Sequence, residues 1–341
     1  MNLFKIIFIN LFIIASFISC NDSKNSTSTT GGNQEVWVYT SMYKDTINEL
    51  TPKLKKAFPN ITVRWYQAGS EDIASKYNLE VINDSIQADL LISSDRFWYH
   101  RMAKEKNLSP YKHKYFDKVP NDLKNAEGYY SALSLPVMVL CYNSDAITES
   151  EAPKNFKDLA DTKWKNKITT GSPLISGTNF TTMAMLQAKY GWDYIKNLKL
   201  NNVLAEGGNS AVLRRIQSKE KPVGWVLLEN ILRLVNDDAR LKIIYPEDGV
   251  VTHANIMAMT TKKDNQVAVK KIIDWFYENE GQTSMTNSFM YSPLSNFKNP
   301  VGAPNLSEIL SKAMPWTNEL INTISTKQEE IKEKYTEIMF Q

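Results

Sequence analysis

Short apolar runs alternate along the chain with segments whose apolar residues recur at helical spacing. Residues 35–40 (EVWVYT) are typical of a buried strand, and the spacing from Ile47 to Phe58 predicts a helix that ends before Pro59. The same patterns predict further strands at 61–67, 88–93, 137–143, 167–173, 222–230 (or a strand-to-helix junction) and 254–260, and helices at 95–106, from 155, at 181–192, 193–200, 210–218, 267–281 with a glycine stop, and from about 307. This alternation predicts α/β layers with mainly parallel sheets.

The first residues predict export from the cytoplasm. Residues 1–19 place Lys5 before an apolar run that small residues close, which is the layout of a secretory signal peptide. Cys20 follows at once, and the sequence FISC resembles a bacterial lipobox, in which the cysteine is lipidated after cleavage. Residues 20–34 are polar and predict a flexible tether. We therefore expect a periplasmic or cell-surface lipoprotein held at the membrane by Cys20; the alternative is an ordinary signal peptide with a chance cysteine.

Composition narrows the function classes. The 341 residues include 40 Lys and Arg against 37 Asp and Glu, a net charge of +3, which gives no electrostatic basis for binding nucleic acid. The length predicts two domains. Three dispersed histidines and two distant cysteines, Cys20 and Cys141, exclude the spaced metal and redox motifs. Because the phosphate-loop, dinucleotide and nucleophile-elbow patterns are also missing, the usual enzyme signatures are not found.

Seven short motifs follow one another along nearly the whole mature chain: VWVYTSMY, QADLLISSD, GYYSALSLPVMVLCYN, SGTNF, GWDYIKNL, NSAVLRRIQSKEKPVGWVLLEN and YPEDGVVTHANIMAM. Their order and spacing resemble the solute-binding proteins of ABC importers, specifically the ferric-ion-binding branch. That branch also includes relatives for sugar phosphates, aminophosphonates, thiamine and polyamines. The resemblance implies a non-enzymatic receptor, expected to be a monomer, that delivers a small ligand to an ABC permease.

The resemblance also implies an α/β, two-lobed periplasmic-binding-protein fold, type II-like, with the ligand in the cleft between the lobes. Lobe 1 would comprise residues 35–137 and 255–295, and lobe 2 residues 138–254 and 296–341 with the C-terminal helices. The chain would cross between the lobes at 135–143 and 250–259. The lobes would close around the ligand by a hinge movement.

Small polar residues at predicted helix starts are candidates for binding an anion. Thr40 and Ser41 precede the first helix, where capping that helix is the alternative role. Ser176-Gly177-Thr178 resembles the family's anion-binding turn, and the alternative is an ordinary strand-to-helix turn. Asn209 precedes another helix, where it would contact the ligand or only cap the helix.

Other candidates come from positions that carry iron ligands in ferric relatives. Tyr43 stands where these relatives have a histidine, and Asp95 is one place from their glutamate, although Asp95 would equally cap the next helix. Glu229 and Asn230 replace their adjacent tyrosines. His253 falls near the expected hinge, where a structural hydrogen bond is the alternative to metal or phosphate binding.

Two ligands are compatible with these residues. Ferric iron, carried as cargo with a synergistic anion, would use Tyr43, Asp95, Glu229 and His253, since hard Fe³⁺ prefers anionic oxygen ligands. A small organic phosphate would place its phosphate on the helix starts and its hydroxyl or amine groups on Asp95 and Glu229. A surface hydrolase and an adhesin are minor alternatives. The charged segment 327–334 is predicted to be a solvated helix face.

Overall fold

The computed structural model describes residues 34–341, which belong to one compact unit. The predicted signal peptide, Cys20 and the tether lie outside the described residues, except Gln34, which begins the first strand. Within residues 34–341 no helix combines the length and the apolar character needed to cross a membrane.

The strands are short because each is an apolar run between polar turns, and most have side chains buried on both faces. Their bounds are β1 Gln34–Thr40, β2 Ile61–Gln67, β3 Leu90–Ser93, β4 Leu108–Ser109, β5 Ser131–Ser134, β6 Val137–Asn143, β7 Ile168–Thr170, β8 Leu204–Ala205, β9 Val223–Leu227, β10 Leu241–Ile244, β11 Val251–Thr252 and β12 Asn255–Thr260. The strongly apolar runs were predicted, whereas β4, β5, β8, β10 and β11 were not.

The helices pack on both sheets through amphipathic faces. Their bounds are α1 Lys44–Ala57, α2 Ser70–Ile82, α3 Arg96–Lys104, α4 Gly177–Tyr190, α5 Trp192–Leu200, α6 Asn209–Gln217, α7 Leu228–Leu232, α8 Gln266–Tyr277, α9 Asn279–Asn287, α10 Leu306–Ser311, α11 Asn318–Thr326 and α12 Gln328–Phe340. The segment from residue 155, predicted to start a helix, forms only a 3₁₀ turn at Lys157–Ala160.

Two six-stranded sheets organise the molecule. The first has the order β2-β1-β3-β12-β4, with β5 also paired to β12, and the second has the order β10-β6-β9-β7-β8, with β11 also paired to β6. The prediction of mainly parallel sheets is wrong. β12 runs antiparallel to β3, β4 and β5, and β6 runs antiparallel to β9, β10 and β11, so one strand makes each sheet mixed.

Through its strands the chain passes between the two sheets twice, before α11 and α12 pack once more in the core of the second sheet. It leaves the first sheet after β5 and enters the second at β6, and it returns between β11 and β12. Both passages lie within the predicted crossing segments, while the predicted boundaries of the two lobes stay a prediction. Cys141 on β6 is fully buried, as expected for a small apolar side chain.

The predicted helix at 267–281 is two helices, α8 and α9, which are separated at Glu278 by extended backbone. Gly281 does not end a helix but lies inside α9. A Cβ atom there would stand 2.4 Å from the Trp275 carbonyl oxygen and 2.6 Å from the Phe276 Cα atom. The glycine therefore permits a close approach of α9 to the end of α8.

Candidate functional site

A cleft of about 410 Å³ is lined by residues that follow strands of both sheets. This volume lies within the usual range for small-molecule sites. Its lining is rich in hydroxyl, amide and charged side chains: Ser41, Tyr43, Gln67, Ser70, Asp72, Ser94, Ser176, Thr178, Asn209, Ser210, Arg214, Glu229 and Asn255. A polar lining of this kind suits a polar solute.

Several helices begin at this cleft, among them three of eight or more residues that follow small polar or glycine residues: α2, α4 and α6. The first residues of α2, α4 and α6, or the residues just before them, belong to its lining. The first turn of a helix carries backbone N–H groups without intrahelical partners and the positive end of the helix dipole. Since the dipoles of three helices favour negative charge at one place, the cleft is suited to an anion.

Glycine allows two of these helix starts to approach their neighbours. A Cβ atom at Gly69, before α2, would stand 2.7 Å from the Ile175 carbonyl oxygen, which precedes α4. Gly207, before α6, has φ +67°, and a Cβ atom there would stand 2.8 Å from Ala211. Both positions therefore require glycine for the backbone to keep its course around the cleft.

A hydrogen-bond network orders the start of α4. Ser176 Oγ accepts from Asn179 Nδ2 at 3.0 Å and caps the helix, and the Asn209 amide donates to Thr178 Oγ1 at 3.1 Å. Asn179 is itself fixed by the Trp225 indole, which donates to its Oδ1 at 3.0 Å. The predicted polar residues Ser176, Thr178 and Asn209 are thus brought together, with their hydroxyl and amide groups at one edge of the cleft.

The cleft carries charges of both signs. Arg214 on α6 and Asp72 on α2 are exposed side chains of the lining. An exposed guanidinium is a flexible bidentate donor for phosphate or carboxylate oxygens. The lining therefore contains a cationic group that adds to the helix dipoles.

Glu229 follows β9, where the chain turns directly into α7. Its side chain lines the cleft but is only 2% exposed. Burial raises the pKa of Glu229 to about 7, although a backbone hydrogen bond and the nearby Arg233 oppose that rise. This carboxyl can thus be neutral or charged near neutral pH, and it accepts a proton or pairs with a cationic ligand group.

Tyr43 precedes α1 and contacts α7, which follows a strand of the other sheet. Its hydroxyl donates to Asn230 Oδ1 at 2.8 Å, and the Arg233 guanidinium lies 5.5 Å from its ring centroid. Burial is the main cause, and the charge of Glu229 the second cause, of a Tyr43 pKa that is raised well above its ordinary value. Tyr43 is therefore a neutral phenol that joins α1 to α7 across the cleft.

Some predicted residues lie beside the cleft and not in its lining. The Thr40 hydroxyl is fully buried and accepts from the Met42 N–H at 3.1 Å. Ser41 does line the cleft. Its backbone N–H donates to the Ile92 carbonyl, so the group that Ser41 can offer to a ligand is its hydroxyl. Gly177 is packed against Ser94, where a Cβ atom would stand 3.1 Å from the backbone.

Asp95 is fully buried and caps α3. Its Oδ1 accepts from the N–H groups of Phe97 and Trp98, both at 3.1 Å, and its Oδ2 accepts from Gln328 Nε2 at 2.8 Å. Burial raises its pKa. Asp95 is not part of the cleft lining, so the structure assigns it the capping role that the sequence had left open.

His253 is also buried outside the lining, on the passage between the sheets. Its Nε2 lies 3.3 Å from Thr182 Oγ1, and its backbone N–H donates to the Pro136 carbonyl. Burial lowers its pKa to about 3. The four residues predicted for iron are therefore not brought together, because only Tyr43 and Glu229 line the cleft. Within residues 34–341 no group of three or more His, Cys, Asp and Glu is placed to hold a metal ion.

Sequence reasoning missed the contribution of α2. Ser70 and Asp72 line the cleft, as does Arg214 on α6. The signal for α2 was present, since Ala68-Gly69-Ser70 follows a strand and begins a helix as Ser176-Gly177-Thr178 does. Arg214 had no such signal, because its position depends on how α6 is oriented in the fold.

Residues 85–317 match the family of bacterial extracellular solute-binding proteins. A periplasmic protein of Salmonella typhimurium, named for binding 2-aminoethylphosphonate, is 25% identical over 238 residues, which cover 66% of this chain and 67% of that protein. These matches confirm the resemblance found in the sequence.

Solved structures match the fold over most of the chain. The periplasmic binding protein AfuA from Actinobacillus pleuropneumoniae, with fructose-6-phosphate bound, matches with a TM-score of 0.80 at 18% identity, over 90% of this chain and 99% of that one. Iron-bound HitA from Pseudomonas aeruginosa matches with a TM-score of 0.78 at 15% identity, over 89% and 99%. The predicted α/β fold of the periplasmic binding proteins is confirmed.

Proposed function

The chain belongs to the bacterial extracellular solute-binding protein family, and on that premise we propose that it captures a small organic phosphate or phosphonate for an ABC importer. The observation that carries this proposal is the convergence of the first turns of α2, α4 and α6 on one cleft. Backbone N–H groups and helix dipoles at such a place stabilise a phosphate group without any specific side-chain motif.

The side chains of the cleft support the same ligand class. Arg214 would pair with the phosphate or phosphonate oxygens, and Ser176 and Thr178 would donate from their hydroxyl groups. Glu229 would accept from a hydroxyl group or pair with an amine of the same solute. The name of the Salmonella relative and the ligand of AfuA are consistent with a phosphonate or phosphate.

Ferric iron with a synergistic anion is the second candidate, favoured by one observation. Tyr43 and Glu229, both oxygen donors, line the same cleft, and the similar HitA structure holds iron. Asp95 and His253 lie outside the cleft lining, and the Asp95 oxygens are used in capping α3. The organic phosphate is therefore better supported.

Binding to a panel of probes tests the proposal. Isothermal titration calorimetry would compare inorganic phosphate, 2-aminoethylphosphonate, fructose 6-phosphate and ferric citrate. We expect a phosphonate or phosphate ester to bind with one-to-one stoichiometry, and Arg214→Gln to weaken that binding by roughly tenfold. Arg64→Gln is the matched control, because Arg64 is an exposed arginine paired with Glu35 and is not part of the lining.

Two outcomes would contradict the proposal. Stoichiometric binding of ferric citrate that is lost in Tyr43→Phe, with no binding of phosphorylated probes, would favour iron. If NMR detects conversion of a bound phosphate ester to inorganic phosphate, the result would favour the surface hydrolase, because a receptor releases its solute unchanged.

Cys20 is proposed to anchor the protein outside the cytoplasmic membrane by lipidation, which would keep the cleft near its permease. The support is the FISC sequence and the polar segment that follows it. In detergent phase separation of bacterial extracts, the wild-type protein should enter the detergent phase and Cys20→Ser the aqueous phase. Equal partition of both would remove the anchor from the proposal.

A further inference from the structure

The start of α12 is buried where the sequence predicts a solvated helix face. Gln328 is 3% exposed, and the Lys332 side chain one turn later is 15% exposed. The residues between and after them, Ile331, Tyr335 and Met339, pack in the core of the second sheet. The prediction for segment 327–334 is therefore wrong for these two polar residues, and the solute cleft does not contain either of them.

Lys332 reaches a helix that begins at the cleft, and Gln328 reaches the cap of α3, which directly follows the lining residue Ser94. Lys332 Nζ lies 2.6 Å from Glu71 Oε2 in the first turn of α2. Gln328 Nε2 donates to Asp95 Oδ2, the carboxylate that caps α3, at 2.8 Å. Lys332 Nζ also lies 5.4 Å from the ring centroid of Phe180 on α4. One face of α12 thus contacts three helices at their starts.

The contacted residues are direct neighbours of the cleft lining. Glu71 stands between Ser70 and Asp72, and Asp95 follows Ser94; these three neighbours all line the cleft. Ser70 Oγ and Ser94 Oγ are 3.1 Å apart, so the two first turns are also joined to each other. A displacement of Glu71 or Asp95 would therefore move the groups that face a solute.

The network has little tolerance for the loss of one member. Glu71 Oε1 and Gln328 Oε1 are buried without a hydrogen-bond partner, so each side chain is held through its other polar atom. Burial, with the charge of Asp95, raises the pKa of Glu71 to about 7, and Lys332 opposes that rise. Removing Lys332 would leave a buried carboxyl group without its cation.

We propose that Gln328 and Lys332 are positioning residues of the solute cleft, holding the first turns of α2 and α3 from the C-terminal helix. This inference rests on the proposed function only in that the cleft is the place where a solute binds. It assigns to α12 an effect on ligand affinity, although α12 contributes no residue to the cleft lining.

Hydrogen–deuterium exchange of the purified protein without added solute tests the positioning directly. In Lys332→Met and in Gln328→Met, amide exchange at residues 69–73 and 94–99 should rise several-fold above the wild type. Lys334→Met is the control on the same helix, since its ion pair with Glu337 is exposed. Unchanged exchange in both buried-site variants would overturn the inference, whatever the cleft binds.

Affinity for the phosphorylated probe that binds most tightly in the calorimetric panel provides the second readout. We expect Lys332→Met to weaken it about tenfold, and Lys332→Met combined with Glu71→Gln to recover most of that loss, because the unpaired charge is removed. Tyr335→Leu lowers stability from the same helix without altering these contacts, so it should bind as the wild type does. An equal loss of affinity in Tyr335→Leu would show that Lys332 affects binding only through the overall stability of the fold.

If Lys332→Met does not fold, Gln328→Met decides the question alone, because it replaces one neutral side chain by another of similar size. If no probe in the panel binds to the wild type, the proposed function fails while the exchange measurement still tests the positioning.

Discussion

The Glu229 carboxyl is positioned at the cleft but is almost inaccessible to water. It lines the cleft while only 2% of its surface is accessible, and burial raises its pKa from 4.5 to about 7. A charged carboxylate at this position is costly until a partner of opposite charge arrives. The cost is consistent with a role in recognising a hydroxyl or amine group of the solute.

Replacing Glu229 by glutamine should change how stability depends on pH. Between pH 4.5 and about 7 the folded wild type binds more protons than the unfolded chain, so its free energy of unfolding falls as the pH rises. This contribution amounts to ~3 kcal/mol. Urea unfolding should therefore show that, from pH 4 to pH 8, the free energy of unfolding of Glu229→Gln rises by about 3 kcal/mol relative to that of the wild type.

Glu220→Gln, at an exposed turn, is the control for this measurement and should follow the wild-type curve. A stability difference between Glu229→Gln and the wild type that stays constant from pH 4 to pH 8 would show that Glu229 ionises normally in the folded protein.

Sequence patterns could locate Asp95 but could not decide its role. A carboxylate between a strand and a helix suits both a ligand and a cap, because the same local geometry serves both. The deciding contact comes from Gln328, 233 positions away in the chain. Ser176 and Thr178, by contrast, were expected at a helix start, and their partners Asn179 and Asn209 also lie at helix starts. Their anion-binding role stays a prediction.

At the scale of elements, two helices have hydroxyl caps, one in the cleft lining and one outside it, so a comparison of the two can distinguish effects on stability from effects on binding. Ser176 caps α4 at the cleft, and Thr317 caps α11 away from the cleft lining. Each hydroxyl accepts from a backbone N–H of its helix, so each alanine variant should lose about 1 kcal/mol of stability.

Only Ser176→Ala should also weaken binding of the phosphorylated probe, by about tenfold, because its hydroxyl and the order of the α4 start are both lost. Calorimetric titration together with urea unfolding of the two variants checks this expectation. If Thr317→Ala weakened binding to the same extent, the effect would reflect stability and not the anion site.

The elements themselves were predictable where a single period dominated. The runs that form β1, β3, β6 and β9 are continuous apolar segments, and α1 and α6 have clear helical spacing. β4, β8 and β11 have two residues each, so no period can be recognised in them. The break between α8 and α9 was missed because Gly281 has the same sequence signature inside a helix as after one.

At the scale of the whole molecule, Arg233 connects the elements of the two sheets. It follows α7, next to the second sheet, while its Nη2 donates to Thr46 Oγ1 at 3.2 Å and to the Ser288 carbonyl at 2.9 Å. Its guanidinium also lies near the rings of Tyr43 and Phe289. All four of these partners belong to segments that pack with the first sheet, so Arg233 joins α7 to that sheet's elements.

Substituting Arg233 by lysine should therefore favour a more open molecule. Lysine keeps the charge but cannot keep both hydrogen bonds and the planar contacts with two rings. We expect a larger radius of gyration by small-angle X-ray scattering, and a loss of about 1–3 kcal/mol in the free energy of unfolding. Arg215→Lys is the matched control, because the Arg215 guanidinium bonds to Thr169 and Glu206 within the second sheet's own elements. Since that control should lose stability without expanding, expansion in both variants or in neither would show that Arg233 does not hold α7 against the elements of the first sheet.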